Sequence, residues 1–218
     1  MSKASWRFKV LISFVGLVGV GLTIINSFNY LESFSYFTTQ SNTLATVFFI
    51  SLVVFGGRQI PIDHRIVTIL KGTLTLGLLV TMLVYHLVLR PILAELYVEY
   101  VVFGPQDLIV HYVMPLLVLL DFGFFDVRGR LRHTDPLWFL LFPVLYVLYI
   151  AIYGALGGRF AINGIMSRYP YFFLDVETYG IVTVIFWSTL VLVVFFLLGV
   201  ALYWFDRGLA KRQVNRST

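Results

Sequence analysis

The sequence contains no cysteine and few charged residues. Without a thiol, the chain cannot form a disulfide scaffold, a thiolate metal site or a cysteine nucleophile. Charged residues make up 12% of the 218 residues and apolar residues 59%. A soluble domain is roughly 25% charged and about 45–50% apolar. This imbalance argues against a soluble enzyme, a disordered chain and a fibrous repeat, and it predicts a membrane protein that crosses the bilayer several times.

Six continuous apolar stretches are each long enough to cross a bilayer as a helix, which needs about 20 residues. They cover residues 10–28, 37–55, 66–89, 108–125, 137–156 and 179–205. Their apolar residues run continuously and do not alternate with polar ones, which favours helices over a β-barrel. The sequence therefore predicts an all-α polytopic membrane protein. Residues 1–218 are expected to form a single six-helix transmembrane domain.

Basic residues are distributed unevenly between the two ends of these predicted helices. Thirteen of the 16 lie on the side of the two termini, and three lie on the other side, namely Arg90, Arg159 and Arg168. Because basic loops tend to stay in the cytoplasm, both termini are predicted to be cytoplasmic. The net charge of +5 arises from residues scattered at loop ends, so we expect no nucleic-acid partner.

Six consecutive polar residues open the second predicted span, from Thr38 to Thr43. Ser, Thr and Asn cap helix N-termini and hydrogen-bond between membrane helices, so a purely structural role is one interpretation. A cap needs only one or two such residues, however, and Thr38, Ser41 and Asn42 share one helix face. A small polar face within a membrane is suited to line a cavity, and such residues are candidates for function.

Two of the four histidines, His86 and His111, lie inside predicted spans. Asp107 precedes His111 by four residues, so the two side chains lie on one helix face. At a rise of about 1.5 Å per residue, His86, His111 and Thr38 lie at similar depths near the side opposite the termini. Similar depth permits contact between these side chains, but it does not establish the order of the helices.

These side-chain types could carry out acyl transfer. A hydroxyl such as that of Thr38 or Thr39 becomes nucleophilic when a base removes its proton, and histidine, here His111, is a residue type whose ordinary pKa suits that task. Asp107 could fix the tautomer of the histidine, and Asn42 or a neighbouring hydroxyl could donate to the oxyanion. The simpler interpretation makes Asp107 the N-cap of the fourth helix and His111 an interhelical hydrogen-bond partner.

Other chemistries find less support in the sequence. Haem or quinone ligation could use His86 and His111, and a zinc hydrolase would need three protein ligands, for which no spacing motif exists. The sequence has neither a G-x-S-x-G elbow nor a P-loop. We therefore expect no cofactor and no metal. The alternative to an enzyme is a non-catalytic bundle that binds or carries a lipid, haem or quinone.

Two short motifs resemble the androgen-induced-gene family, which includes the androgen-dependent tissue-factor-pathway-inhibitor-regulating protein and many bacterial six-span proteins. The motifs are YFTTQSN, residues 36–42, and HYVMP, residues 111–115. Tyr169-Pro170-Tyr171, followed by LDV at residues 174–176, resembles the bacterial branch of this family. The six-span layout is similar over nearly the whole chain.

The resemblance implies a membrane-embedded threonine hydrolase of lipid esters in a bacterial cell membrane. Animal members cleave fatty acid esters of hydroxy fatty acids with one threonine and one histidine. Matching the motifs residue by residue places the nucleophile on Thr38 and the base on His111. The polar run after Thr38 departs from the animal pattern, which keeps Thr39 open as the nucleophile. A membrane lipid or fatty-acyl ester is the expected partner, near the outer leaflet. The residues expected to support the site or contact the substrate are Thr39, Asn42, His86 and Asp107.

Overall fold

The computed structural model describes residues 1–27, 29–56, 65–92, 104–162 and 165–217. Six helices within these ranges are long and apolar enough to cross a membrane, which confirms the prediction of an all-α chain with six spans. They are α1 (Lys3–Ile25), α3 (Phe37–Phe55), α4 (Arg65–Ile92), α5 (Pro105–Phe125), α6 (Asp135–Ala155) and α7 (Val176–Ser217). A short helix, α2 (Tyr30–Phe34), precedes α3.

The predicted span boundaries agree with these helices to within a few residues at most ends. The second predicted span, residues 37–55, coincides with α3. The largest differences are at α1, which begins at Lys3, and at α7, which continues to Ser217. In both cases the helix extends beyond its apolar stretch into a basic terminus. Phe28, the predicted end of the first span, lies outside the described residues.

The start of α5 corrects one interpretation of the sequence. Gly104 occupies the N-cap position and Pro105 follows it at the first helical position. Proline suits that position because its φ angle is already helical and the N–H that it lacks would have no partner there. Asp107 therefore lies inside the first turn and is not the N-cap. A carboxylate at this place interacts favourably with the positive end of the helix dipole.

Helices α4 and α5 each contain a π-helical turn near the same end of the bundle. In α4 the turn covers Tyr85–Leu89, and in α5 it covers Ile109–Val113. The centre of each turn lies four residues before a proline, Pro91 in α4 and Pro115 in α5. A proline cannot donate to the carbonyl four residues earlier, and its ring clashes with that carbonyl in an α-helix. The wider π turn accommodates this defect, and π turns of this kind are common at functional sites.

The helices pack closely where small residues face one another. Helix α1 lies along α3, and a Cβ atom added to Gly16 would clash with Thr46 Oγ1. Such close backbone approach is typical of membrane helix pairs, in which small residues form the interface. The adjoining apolar core combines residues of α1, α3, α4 and α5, namely Ile12, Ala45, Phe49, Leu52, Leu74, Leu78, Met114 and Val118.

A compact connection between α6 and α7 covers one end of the bundle, which we call the hairpin end. Strands β1 (Phe160–Ile162) and β2 (Ile165–Ser167) pair antiparallel there, and a single 3₁₀ turn follows at Phe172–Leu174. The connection packs on α6 through a second apolar cluster, formed by Tyr146, Ile150, Phe160, Tyr171 and Leu174. Helices α3 and α5 both begin at this end, and the first turn of α3 contacts the connection through the hydrogen bond from the Phe37 N–H to the Tyr171 hydroxyl.

Candidate functional site

The first turn of α3 and the π turn of α5 bring Thr38 and His111 together. Thr38 Oγ1 lies 3.5 Å from His111 Nε2. The His111 side chain is buried, with 8% of the residue exposed, whereas Thr38 is half-buried. A contact of this length is at the long end of hydrogen-bond distances, and catalytic contacts in ligand-free sites commonly shorten when the substrate binds. The pair therefore has the geometry expected of a nucleophile and its base.

The surroundings of His111 determine which ring nitrogen faces Thr38. Nδ1 lies 3.2 Å from the backbone carbonyl oxygen of Asp107 and 3.7 Å from the Asp107 carboxylate. A carbonyl can only accept, so a neutral His111 carries its proton on Nδ1 and donates it to Asp107. The lone pair of Nε2 then points to the Thr38 hydroxyl, which is the tautomer that a general base requires.

Tyr85 holds the imidazole from the other side. Its ring stacks on His111 with centroids 3.7 Å apart and an interplanar angle of 9°. The Tyr85 hydroxyl also donates to Asp107 Oδ2 at 3.1 Å. Tyr85 thus contacts both the His111 imidazole and Asp107, whose backbone carbonyl fixes the tautomer. Because Tyr85 lies in the π turn of α4, the two π turns meet at this contact.

Asn42 connects the two helices that carry the pair. Its amide Nδ2 donates to the carbonyl oxygens of Thr38 at 2.9 Å and of Val110 at 3.1 Å. Both amide protons are therefore engaged by the backbone carbonyls of Thr38 and of the residue before His111. The hypothesis that Asn42 donates to an oxyanion does not fit this arrangement. Asn42 instead holds the first turn of α3 at a fixed distance from the π turn of α5.

Two other expected site residues are not brought to the Thr38–His111 contact. His86 is exposed, and its Nδ1 lies 2.9 Å from the Tyr112 hydroxyl. Thr39 is buried, and within the described part of the chain it does not line the cavity next to Thr38. Of the two candidate nucleophiles, Thr38 is the one whose hydroxyl lies within hydrogen-bond range of a histidine nitrogen.

A cavity of about 240 Å³ lies beside Thr38, between α4, α6 and α7. Thr38 lines the cavity, whereas His111 is not among its described lining residues, so Thr38 lies between the cavity and the base. The remaining walls are almost entirely apolar and include Val80, Val84, Val144, Val147, Val191 and Leu192. A cavity of this kind suits a hydrocarbon chain better than a polar metabolite.

No family model, curated protein or solved structure matches this chain. Within the described residues, no group of three or more His, Asp or Glu side chains could hold a metal ion. The functional assignment therefore depends on the geometry of the site, together with the short motifs around Thr38 and His111.

The sequence analysis did not identify Tyr171 as a site residue. Tyr171 lies in the connection at the hairpin end, and its hydroxyl accepts a hydrogen bond from the backbone N–H of Phe37 at 3.2 Å. Burial raises the pKa of Tyr171 to about 12, although hydrogen bonding with Phe37, Tyr146 and Thr38 acts in the opposite direction. The phenol is therefore neutral at physiological pH. The only sequence signal for this residue was its place in the Tyr169-Pro170-Tyr171 motif.

A second feature missed from the sequence is a buried ionic network at the end of the bundle opposite the hairpin. Lys9 Nζ lies 2.7 Å from Asp121 Oδ1, and Lys71 pairs with both Asp121 and Asp126. Lys9, Lys71 and Asp121 are all buried. The network joins α1, α4 and α5, so two lysines that the sequence analysis counted as orientation signals are engaged in ion pairs.

Proposed function

We propose that this protein is a membrane-embedded hydrolase that cleaves a lipid ester with Thr38 as the nucleophile and His111 as the base. The observation that carries the proposal is the contact between Thr38 Oγ1 and Nε2 of His111, beside an apolar cavity. The resemblance of the two motifs to the androgen-induced-gene family supports the same function. The substrate class is a fatty-acyl ester, such as a fatty acid ester of a hydroxy fatty acid.

The proposed reaction proceeds in two stages. As Thr38 Oγ1 attacks the ester carbonyl, His111 Nε2 takes the hydroxyl proton, and the carbonyl π electrons move to the oxygen. Collapse of this intermediate breaks the ester C–O bond, and His111 returns the proton to the departing alcohol. Water then attacks the acyl-threonine with His111 again as the base, which releases the fatty acid and restores Thr38.

The alternative is a non-catalytic bundle that binds or carries a lipid, haem or quinone. A lipid carrier could use the same apolar cavity. The fixed tautomer of His111 favours the hydrolase, because a carrier has no need for a hydroxyl that faces a basic nitrogen. For haem, the positions of the two histidines give no support, since His86 is exposed and His111 is buried against Tyr85.

Labelling with a lipophilic fluorophosphonate tests the proposal directly. The purified protein should form a covalent adduct, and mass spectrometry should locate it on Thr38. Thr38→Ala should abolish labelling and ester cleavage, and His111→Ala should reduce both by about 10²–10⁴-fold. Thr23→Ala and His133→Ala are matched controls, because Thr23 bonds to the Gly19 carbonyl and His133 is exposed at the opposite end.

The position of the adduct distinguishes the two candidate threonines. An adduct on Thr39 would move the nucleophile by one residue and leave the reaction class intact. Ester cleavage that persists in a Thr38→Ala/Thr39→Ala double variant would refute the threonine hydrolase. An absorption spectrum with a haem band would favour the alternative.

A further inference from the structure

We infer that Tyr171 is a further catalytic residue, whose hydroxyl donates a hydrogen bond to the oxyanion that forms when Thr38 attacks the ester. The inference depends on the proposed hydrolase function. It adds a residue that lies 133 positions from the nucleophile in the chain and that belongs to the connection over the hairpin end.

The position of Tyr171 is the first argument. Tyr171 and Thr38 both line the apolar cavity, so an ester carbonyl presented to Thr38 from that cavity passes next to the phenol. The Tyr171 hydroxyl receives the N–H of Phe37, the residue immediately before the nucleophile, at 3.2 Å. His111 contacts Thr38 but does not line the cavity. Base and phenol therefore approach Thr38 from different directions, as attack on a carbonyl requires.

The availability of the phenol proton is the second argument. A tyrosine hydroxyl has one proton to donate and can accept with its lone pairs. The Phe37 N–H uses an acceptor site of Tyr171 and leaves its proton available. Since burial holds the pKa of Tyr171 at about 12, the proton is present throughout the physiological range. In the free protein the Tyr171 hydroxyl has the hydroxyl groups of Thr38 and Tyr146 as hydrogen-bonding neighbours.

The rigidity of the surroundings is the third argument. The Tyr171 ring stacks on Phe173 with centroids 5.0 Å apart, and it meets the Tyr36 ring edge-to-face at 6.0 Å. The neighbouring Tyr146 hydroxyl is held by its hydrogen bond to the Ser35 carbonyl at 3.1 Å. Donors that are fixed before the reaction stabilise a developing charge most effectively, because they need not reorganise.

The fourth argument is that the other hydrogen-bond donors near Thr38 are already engaged and do not bind the oxyanion. Both amide protons of Asn42 are donated to backbone carbonyls. The backbone N–H of Thr38 lies in the first turn of α3, where helical N–H groups have no partner inside their own helix. That N–H already hydrogen-bonds with the Tyr171 hydroxyl. The phenol proton is therefore the donor that remains for the oxyanion on the cavity side of the nucleophile. The negative charge formed on the carbonyl oxygen is stabilised there until the carbonyl re-forms and the alcohol leaves.

The test compares Tyr171→Phe with Tyr149→Phe in the full-length protein, with a fatty-acyl ester as substrate. Loss of one oxyanion donor typically lowers kcat by about 10²–10³-fold, and we expect this decrease in Tyr171→Phe with KM nearly unchanged. Tyr149→Phe is a matched control, because it too removes one tyrosine hydroxyl. The Tyr149 hydroxyl bonds to Ser35 Oγ at 2.7 Å, and Tyr149 is not among the described residues that line the cavity. Its kcat should remain close to that of the unmodified protein.

A second substitution separates hydrogen-bond donation from packing. Fluorotyrosine at position 171 keeps the size of the ring and makes the phenol more acidic, so a donor role predicts a changed kcat with an unchanged KM. If Tyr171→Phe fails to fold, the fluorotyrosine protein decides alone, and an unchanged kcat overturns the inference. Normal turnover in Tyr171→Phe would also overturn the inference about Tyr171. If Thr38→Ala is inactive in the same assay, the proposed hydrolase function is still supported. Full activity in Thr38→Ala and in the double threonine variant would instead remove the hydrolase itself.

Discussion

At the scale of single residues, the support for His111 differs from that of a triad in which a carboxylate binds the imidazole. Here the backbone carbonyl of Asp107 lies closer to Nδ1 than the carboxylate does, at 3.2 Å compared with 3.7 Å. Asp107→Asn keeps that carbonyl, and its amide oxygen can still accept from Tyr85. We expect fluorophosphonate labelling to slow by less than about tenfold, whereas loss of a triad carboxylate costs about 10⁴-fold.

The rate of fluorophosphonate labelling measures the effect of Asp107→Asn directly. Tyr85→Phe is a companion variant, which removes the hydroxyl bonded to Asp107 and keeps the ring stacked on His111. A decrease of more than about 10³-fold in Asp107→Asn would show that the carboxylate, and not the carbonyl, orients the base.

The residues that could be predicted from the sequence are those that are unusual within their own helix. Thr38 and His111 stand out because polar side chains are costly in an apolar span. Tyr171 and Asp121 did not stand out as site or network residues. Tyr171 reaches Phe37 only through the folded connection at the hairpin end, and Asp121 is explained only by two lysines on other helices. Contacts of this kind depend on helix order, which one sequence does not contain.

At the scale of elements, hydropathy predicted where the helices lie but not how their side chains are rotated. The π turn of α5 centres on His111 because Pro115 has no N–H to donate to the His111 carbonyl, and its ring would clash with that carbonyl in an α-helix. In Pro115→Ala the restored N–H can bond to the His111 carbonyl, and the turn can adopt α-helical geometry. A helix turns by about 100° per residue, so this change would rotate His111 away from Thr38.

We therefore expect Pro115→Ala to fold, with unchanged helix content by circular dichroism, and to lose covalent labelling of Thr38. Pro136→Ala is the matched control, because Pro136 lies in the first turn of α6, where the missing N–H is tolerated. Labelling of Pro115→Ala at the normal rate would show that the π turn does not position the base.

At the scale of the whole molecule, the buried network of Lys9, Lys71 and Asp121 connects three helices. Removing Asp121 leaves two buried ammonium groups without a shared partner. Breaking a buried ion pair on one side typically costs about 3–5 kcal/mol. We expect Asp121→Ala to lower the free energy of unfolding in detergent by about this amount. Asp126→Ala should cost less, because the Asp126 side chain is 21% exposed and, within the described residues, pairs with one lysine, Lys71.

Denaturant titration of the two variants measures the difference, and a triple variant provides the control. Replacing Lys9, Lys71 and Asp121 together by Met, Met and Leu removes the three buried charges and leaves the partly exposed Asp126 without its Lys71 partner, so it should recover much of the lost stability. Equal destabilisation by Asp121→Ala and Asp126→Ala would contradict a network centred on Asp121.

The orientation of the whole molecule determines from which leaflet a substrate reaches Thr38. The excess of basic residues on the side of the termini predicts that the hairpin end faces outward, and it persists when the paired Lys9 and Lys71 are left out. Because the chain has no cysteine, single cysteines can report accessibility without background. In intact cells, an impermeant maleimide should label Met166→Cys, at an exposed position in β2, and should spare Ala4→Cys near the start of α1. Permeabilised cells should show labelling of both. The reverse pattern in intact cells would place the Thr38–His111 pair at the inner leaflet, and the ester would then have to arrive from the cytoplasmic side.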